Sequence, residues 1–173
     1  FSSATQNYKK LDSFIDLFPD NFVKEHFVGN LASKDFITKT SKKKFYDFIV
    51  LFDVLEHVTN PFNVVENIIE MMKKDSKLII TVPFLQGYHE DPIDCFRYTH
   101  HGIKQLFNNY LIEKKIGNDF DKFFKMKRCF YDISQRRLKD ENDEFSFNGH
   151  SIRDSFGGYR ETWHLFCYIQ KLF

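Results

Sequence analysis

Residues 45–83 read FYDFIVLFDVLEHVTNPFNVVENIIEMMKKDSKLIITVP, and the succession of patterns within them decides the fold. Phe48-Ile49-Val50-Leu51-Phe52 is a short apolar run of the kind found in a parallel strand covered on both faces. Asn60-Pro61 supplies a helix start, a capping side chain followed by a proline that needs no hydrogen-bonded amide. Phe62, Val65, Ile68, Ile69 and Met72 then recur at helical spacing as one apolar stripe, and Lys73-Lys74 suit the negative end of that helix. Leu78-Ile79-Ile80-Thr81-Val82 is a second buried strand, ended by Pro83. Two parallel strands joined by a helix form a right-handed crossover, the unit of an open α/β sheet. Ligands of such sheets bind beyond the carboxyl ends of the strands, which here carry Asp53 to His57 and Pro83 to His89.

Outward from this unit the chain is punctuated by turn chemistry. Ser13 to Phe18 predicts a strand ended by Pro19-Asp20-Asn21, and His26-Phe27-Val28 a second one leading into Gly29-Asn30-Leu31. Lys42-Lys43-Lys44 is a solvated turn before the central strand. After Pro83 a polar loop runs to Pro92, and Thr99 caps a helix over His100 to Tyr110. Leu111 to Ile116 reads as a strand ending at Gly117. Apolar positions at Phe120, Phe123, Phe124, Phe130 and Ile133 predict one amphipathic helix or two short ones over 119–139, within a lid or substrate-side insertion at 118–160. Residues 139–158 read as loop. Alternation of Trp163, Leu165, Cys167 and Ile169 with their neighbours predicts a closing strand over Glu161 to Leu172.

The chain has 173 residues, enough for one domain with a real core. A net charge of +1 argues against a nucleic-acid footprint or an anionic membrane surface. No apolar run approaches the about 20 residues that span a bilayer. Three widely spaced cysteines, Cys95, Cys129 and Cys167, form no paired motif and fit a reducing cytoplasm. The 22 phenylalanines are unusual, and nucleotide bias in the source accounts for them as readily as function does.

The run FYDFIVLFDVLEHVTNP, the helix after it and LIITVPF resemble the second half of a class I S-adenosylmethionine-dependent methyltransferase. The following HEDPIDCFRYTHHGIKQLF resembles a subset of methyltransferases that modify sugars and polysaccharides. The resemblance implies a single domain over 1–173 with a Rossmann-like fold, a mostly parallel, doubly wound sheet whose last strand is antiparallel. It implies S-adenosylmethionine as cofactor. Asp16 then takes the ribose hydroxyls, Asn30 the adenine amino group and Leu31 the face of the ring, with Phe52 and Asp53 in the same pocket. Asn30 departs from the aspartate that relatives often carry, although its amide oxygen still accepts a hydrogen bond. Members of this family also have a glycine-rich turn after the first strand, whereas no glycine precedes Gly29 here. The turn is expected upstream of Phe1; the alternative is that it has been lost.

Methyl transfer to a hydroxyl needs the acceptor held in line with the methyl group and a base for its proton. His89, with Asp94 to orient it, and His57 are the candidates for that base. Tyr88, Asp94, Arg97 and Tyr98 are the candidates for holding a polar acceptor, with an ion pair from Arg97 to Asp91 or Asp94 as the structural alternative. Asp53, Glu56 and His57 also resemble the acid-x-x-Glu-His pattern of metal-dependent methyltransferases, including small-RNA 3′-end and ubiquinone-pathway enzymes, with His89 as a further ligand. Metal-independent relatives share Leu-Glu-His-Val, so a divalent metal is not the favoured reading. The expected activity is O-methylation of a sugar or glycan-precursor hydroxyl. Its rivals are a degenerate domain that binds a partner and a metal-dependent enzyme acting on a quinone precursor or RNA.

Overall fold

The computed structural model describes residues 14–16, 26–28, 30–34, 36, 45–90, 93–132, 137–140 and 163–173. Two short strands, β1 (Phe14–Asp16) and β2 (His26–Val28), pair in parallel. The main sheet contains β3 (Tyr46–Phe52), β4 (Met72–Leu85), β5 (Phe124–Asp132), β6 (Arg137–Asp140) and β7 (Trp163–Lys171). Its spatial order is β3-β4-β7-β5-β6. β3 and β4 are parallel, and β7 runs antiparallel to both β4 and β5. β3, β4 and β5 therefore share one direction and the last strand opposes them, a Rossmann-like α/β arrangement. β6 adds an antiparallel edge beyond β5.

Register places the apolar residues of adjacent strands side by side. Leu51 pairs with Ile80 and Ile80 with Cys167; Leu78 pairs with Ile169 and Val82 with Leu165. These seven residues are all buried. They share one core with Val64, Val65, Ile68 and Ile69 of helix α1 (Pro61–Met71) and with Ile103, Phe107 and Leu111 of α2 (His100–Glu113).

Both expected caps form. Asn60 Oδ1 accepts from Asn63 N at 3.2 Å with Pro61 behind it, and Thr99 Oγ1 accepts from Gly102 N at 3.1 Å. Asn60→Ala is expected to cost about 1 kcal/mol in a urea titration, the usual worth of such a cap.

Several local expectations are corrected. The α1 stripe is rotated from the one anticipated: Phe62 is 44% exposed, and Val64 is buried instead. Lys73 and Lys74 do not lie in the helix, which passes at Met72 straight into β4. The exposed carbonyls there are taken by Lys171 of β7, whose Nζ donates to Ile69 O at 3.0 Å and Met72 O at 2.9 Å. Pro83 does not end β4, which continues to Leu85. The segment 111–116 is not a strand. Tyr110 and Leu111 extend the buried series Ile103, Leu106, Phe107 at helical spacing, so α2 carries on to Glu113. It ends where Gly117 N and Ile116 N donate back to Leu111 O, with Gly117 at φ +132°, a conformation side chains disfavour.

The helix expected over 119–139 is a single turn, α3 (Phe120–Phe123), followed by β5. The alternation Phe124-Lys125-Met126-Lys127 has the period of a strand, and the sheet satisfies it. Phe120 and Phe124 pack with Phe107 at ring separations of 5.1–5.7 Å, anchoring the turn to α2. Of the expected insertion, 124–132 is thus sheet, while 133–136 and 141–160 lie outside the described residues.

Candidate functional site

The central strand stops abruptly. Asp53 takes a φ of 50°, turning the chain out of the sheet at the carboxyl end of β3. Neighbouring β4 fixes this turn through Thr81. Asp53 N donates to Thr81 O at 2.9 Å, and the Thr81 hydroxyl donates to Asp53 Oδ1 at 3.0 Å. His164 of β7 brings Nε2 to 3.6 Å from the same carboxylate oxygen. Burial pushes the Asp53 carboxyl upward, but His164 and then Thr81 outweigh it, and its pKa is lowered.

Beyond Asp53 a 3-10 turn, Leu55–His57, drops Glu56 into the protein. Its carbonyl accepts from Cys95 N at 2.7 Å and Phe96 N at 3.3 Å, stitching the turn to the loop after β4. The Glu56 side chain is 1% exposed and Oε2 has no hydrogen-bond partner. Burial raises its carboxyl to about 7. His57 Nδ1 lies 2.5 Å from Ile93 O. A carbonyl can only accept, so Nδ1 carries a proton. The Nε2 of His57 lies 3.6 Å from Glu56 Oε1.

His89 completes the group from the other strand end. Its ring stands perpendicular to that of His57 at 5.0 Å. His89 Nδ1 lies 3.3 Å from Gly87 O and 3.6 Å from Asp94 Oδ2, and its backbone amide donates to Asp94 Oδ2 at 2.9 Å. Glu56, His57 and His89 each present one donor atom within 4.8 Å of the others.

Asp94 and Arg97 hold the loop. Arg97 donates through Nη1 to Asp94 Oδ1 at 2.5 Å and through Nη2 to Oδ2 at 2.8 Å. The same guanidinium donates to the carbonyls of Gln86 at 3.3 Å, Gly87 at 3.1 Å and Phe96 at 2.8 Å. Its partnership holds the Asp94 carboxyl down at about 2. Of the two aspartates expected to pair with Arg97, Asp94 does so, and Asp91 lies outside the described residues. Tyr98 sits behind the turn, buried, donating its hydroxyl to Leu55 O at 3.2 Å. Tyr88 is on the open side, 73% exposed, its hydroxyl bonded to Glu90.

Of the residues expected to hold a cofactor, Asp53 follows Phe52 directly at the end of β3. Phe52 is half-buried beside Thr81 in the parallel register. Asn30 folds its side chain onto its own turn, accepting from Ala32 N at 2.8 Å. α1 grips this turn, with Asn67 Nδ2 donating to Leu31 O at 2.7 Å and Ser33 O at 2.9 Å, and Asn63 Nδ2 to Ala32 O at 2.9 Å. Leu31 packs, half-buried, against the core. Asp16 closes β1 opposite Val28, and its side chain lies outside the description. Thr81 and His164 are the site residues that sequence reasoning missed. A polar residue inside an apolar strand is the signal for Thr81; His164 gave none, since only the placement of β7 beside β4 brings it to Asp53.

The sequence profile of a family described as "Methyltransferase domain" matches residues 7–148, most of the chain. The chain belongs to this family of class I S-adenosylmethionine-dependent methyltransferases. No curated protein matches it. Among solved structures, a chain of the complex between the Haloferax volcanii Trm112 methyltransferase activator and a methyltransferase matches with a TM-score of 0.54 and 12% identity, over 99% of this domain and 77% of that chain. A SAM-dependent methyltransferase from Archaeoglobus fulgidus matches with a TM-score of 0.51 and 14% identity, over 92% and 75%. The StiE O-MT region matches with a TM-score of 0.48 and 18% identity, and the methyltransferase domain spans 49% of that chain. The first two likenesses bear on the fold alone. Among the described residues, no helix is long and apolar enough to cross a membrane.

Proposed function

We propose that the domain transfers a methyl group from S-adenosylmethionine to a hydroxyl of a sugar or glycan precursor. The observation that carries this reading is the convergence of Glu56, His57 and His89 at the carboxyl ends of β3 and β4, where sheets of this kind place their ligands. In the reaction the acceptor oxygen attacks the methyl carbon in line with sulfur. The C–S electron pair returns to sulfur, leaving neutral S-adenosylhomocysteine, and the hydroxyl proton passes to an imidazole of the cluster. His89 is the more open of the two rings, with its side chain 34% exposed against 9% for His57, and takes the proton; His57 borders it.

Asp53, Phe52, Leu31 and Asn30, with Asp16, form the cofactor side of this reading. Asp94 and Arg97 are assigned the shape of the acceptor side rather than a direct ligand role, because the pair saturates itself and three carbonyls. Tyr88 is free to lie against a sugar face. The sugar preference rests on the resemblance of residues 89–107.

Calorimetric titration with S-adenosylhomocysteine tests the cofactor half, and transfer of radiolabelled methyl to a panel of sugar hydroxyls tests the acceptor half. One-to-one binding with labelled product supports the reading. Binding with no transfer to any hydroxyl acceptor refutes it in favour of a domain that holds cofactor or partner without turnover.

A further inference from the structure

We propose that His164, on the last strand, is a positioning residue for the cationic amino-acid end of the cofactor, acting through the carboxylate of Asp53. The inference rests on the cofactor reading above and adds a residue that no local sequence pattern marks.

Strand alternation brings the parts together. Thr81 pairs with Phe166 and Pro83 with His164, so Thr81 and His164 stand on one face of the sheet, away from the face on which Val82 and Leu165 join the core. Asp53, turned out of β3 at φ 50°, meets both. The Thr81 hydroxyl accepts from Asp53 N at 3.2 Å and donates to Asp53 Oδ1 at 3.0 Å, so the turn is closed without the imidazole. His164 Nε2 then approaches the same oxygen at 3.6 Å.

An imidazole carries a cost here. The His164 side chain is 10% exposed, and its Nδ1 is buried with no partner among the described residues. A leucine in its place would bury as readily and leave no polar atom unpaired. What the ring supplies instead is an N–H at Nε2, since the nitrogen that faces a carboxylate takes the proton of a neutral imidazole. Thr81 and His164 thus both address Oδ1. Oδ2 takes no bond from a described residue, and the Asp53 side chain is 38% exposed.

That open oxygen stands at the end of the cofactor where positive charge lies. Transfer requires the methyl group within reach of a hydroxyl beside His89. The sulfur, and the amino-acid chain attached to it, therefore lie toward the histidines, and Asp53 immediately precedes the turn that carries Glu56 and His57. The two other carboxylates there are committed. Glu56 is 1% exposed, and Asp94 is bonded to Arg97 and His89 N. Of the three, Asp53 is the one that can meet the cofactor ammonium. A carboxylate already fixed in one orientation loses less freedom when the ligand arrives, and this is what His164 contributes.

Calorimetric titrations with S-adenosylhomocysteine, which carries the ammonium, and with 5′-methylthioadenosine, which lacks the amino-acid end, test the proposal. His164→Leu is expected to bind the first about tenfold more weakly than wild type and the second equally well. It should melt no lower than wild type, because an unpaired buried nitrogen has gone. His164→Gln, whose amide N–H can stand in for that at Nε2, should keep most of the wild-type affinity. In an Asp53→Asn background His164→Leu should have no further effect. Equal losses for both ligands, an unchanged affinity for S-adenosylhomocysteine, or a His164→Leu effect that persists beside Asp53→Asn overturns the proposal and leaves the cofactor reading intact. Wild-type protein that fails to bind S-adenosylhomocysteine overturns both.

Discussion

Asp94→Ala is expected to lower the stability of the domain by about 3 kcal/mol at neutral pH, the usual cost of removing one member of a buried ion pair. The Asp94 side chain is only 3% exposed. It accepts two bonds from Arg97 and one from His89 N, and so ties the loop after β4 to itself. Without it the guanidinium faces carbonyls alone. Arg97 is 27% exposed and can turn partly to water, which keeps the cost at the low end of the range. A denaturant titration reads the loss directly, and Asp94→Ala combined with Arg97→Ala should cost less than the two single changes added together.

The same residue gives a pH dependence of known sign. Arg97 lowers the folded pKa of Asp94 from 3.8 to about 2. The folded state therefore binds the proton less tightly than the unfolded one. The contribution is fully present above pH 3.8 and disappears as pH falls through about 2. It amounts to at most about 2 kcal/mol. The gap between wild type and Asp94→Asn should narrow over that window in acid titrations. A gap that stays constant would mean that the pair does not titrate as a unit.

His89→Ala is expected to reduce kcat for methyl transfer by about 10²- to 10⁴-fold, the range for loss of a positioned proton acceptor. Binding of S-adenosylhomocysteine should change little, because the cofactor side is assigned to other residues. The half-exposed His89 ring sits in a loop rather than the core, so the fold should survive its removal. A variant that retains wild-type kcat would remove His89 from the chemistry altogether.

The crossover unit was legible because its periodicities are unambiguous: an apolar run, a capped helix and a second apolar run leave one topology. Both caps, Asn60 and Thr99, were readable for the same local reason. Phe120 to Phe130 was misread because aromatic spacing of three and four residues mimics a helix, while the lysines at 125 and 127 carry the true period of two. Leu111 to Ile116 failed in the opposite way: a β-like composition was overridden by two side chains already committed to the helix face. At the site, Asp53, Glu56, His57 and His89 could be found from their positions after two strands. Which of them gather could not, since Asp53 is drawn away by His164 across a strand contact that no local pattern encodes. The pairing of Arg97 is one of two alternatives that its position offers, and the structure shows the pair with Asp94.

The placement of β7 has a consequence for synthesis. β4 and β5 do not pair with each other; each meets β7, which fills the gap between them. Until residues 163–171 leave the ribosome, both strands present an unpaired edge, and the core lacks Leu165, Cys167 and Ile169, all fully buried in the finished domain. Open edges beside exposed apolar surface attract other nascent chains. The domain must therefore wait for its final strand before it can close, and a ribosome stalled ahead of residue 163 would display a sheet in two pieces, a natural client for chaperones.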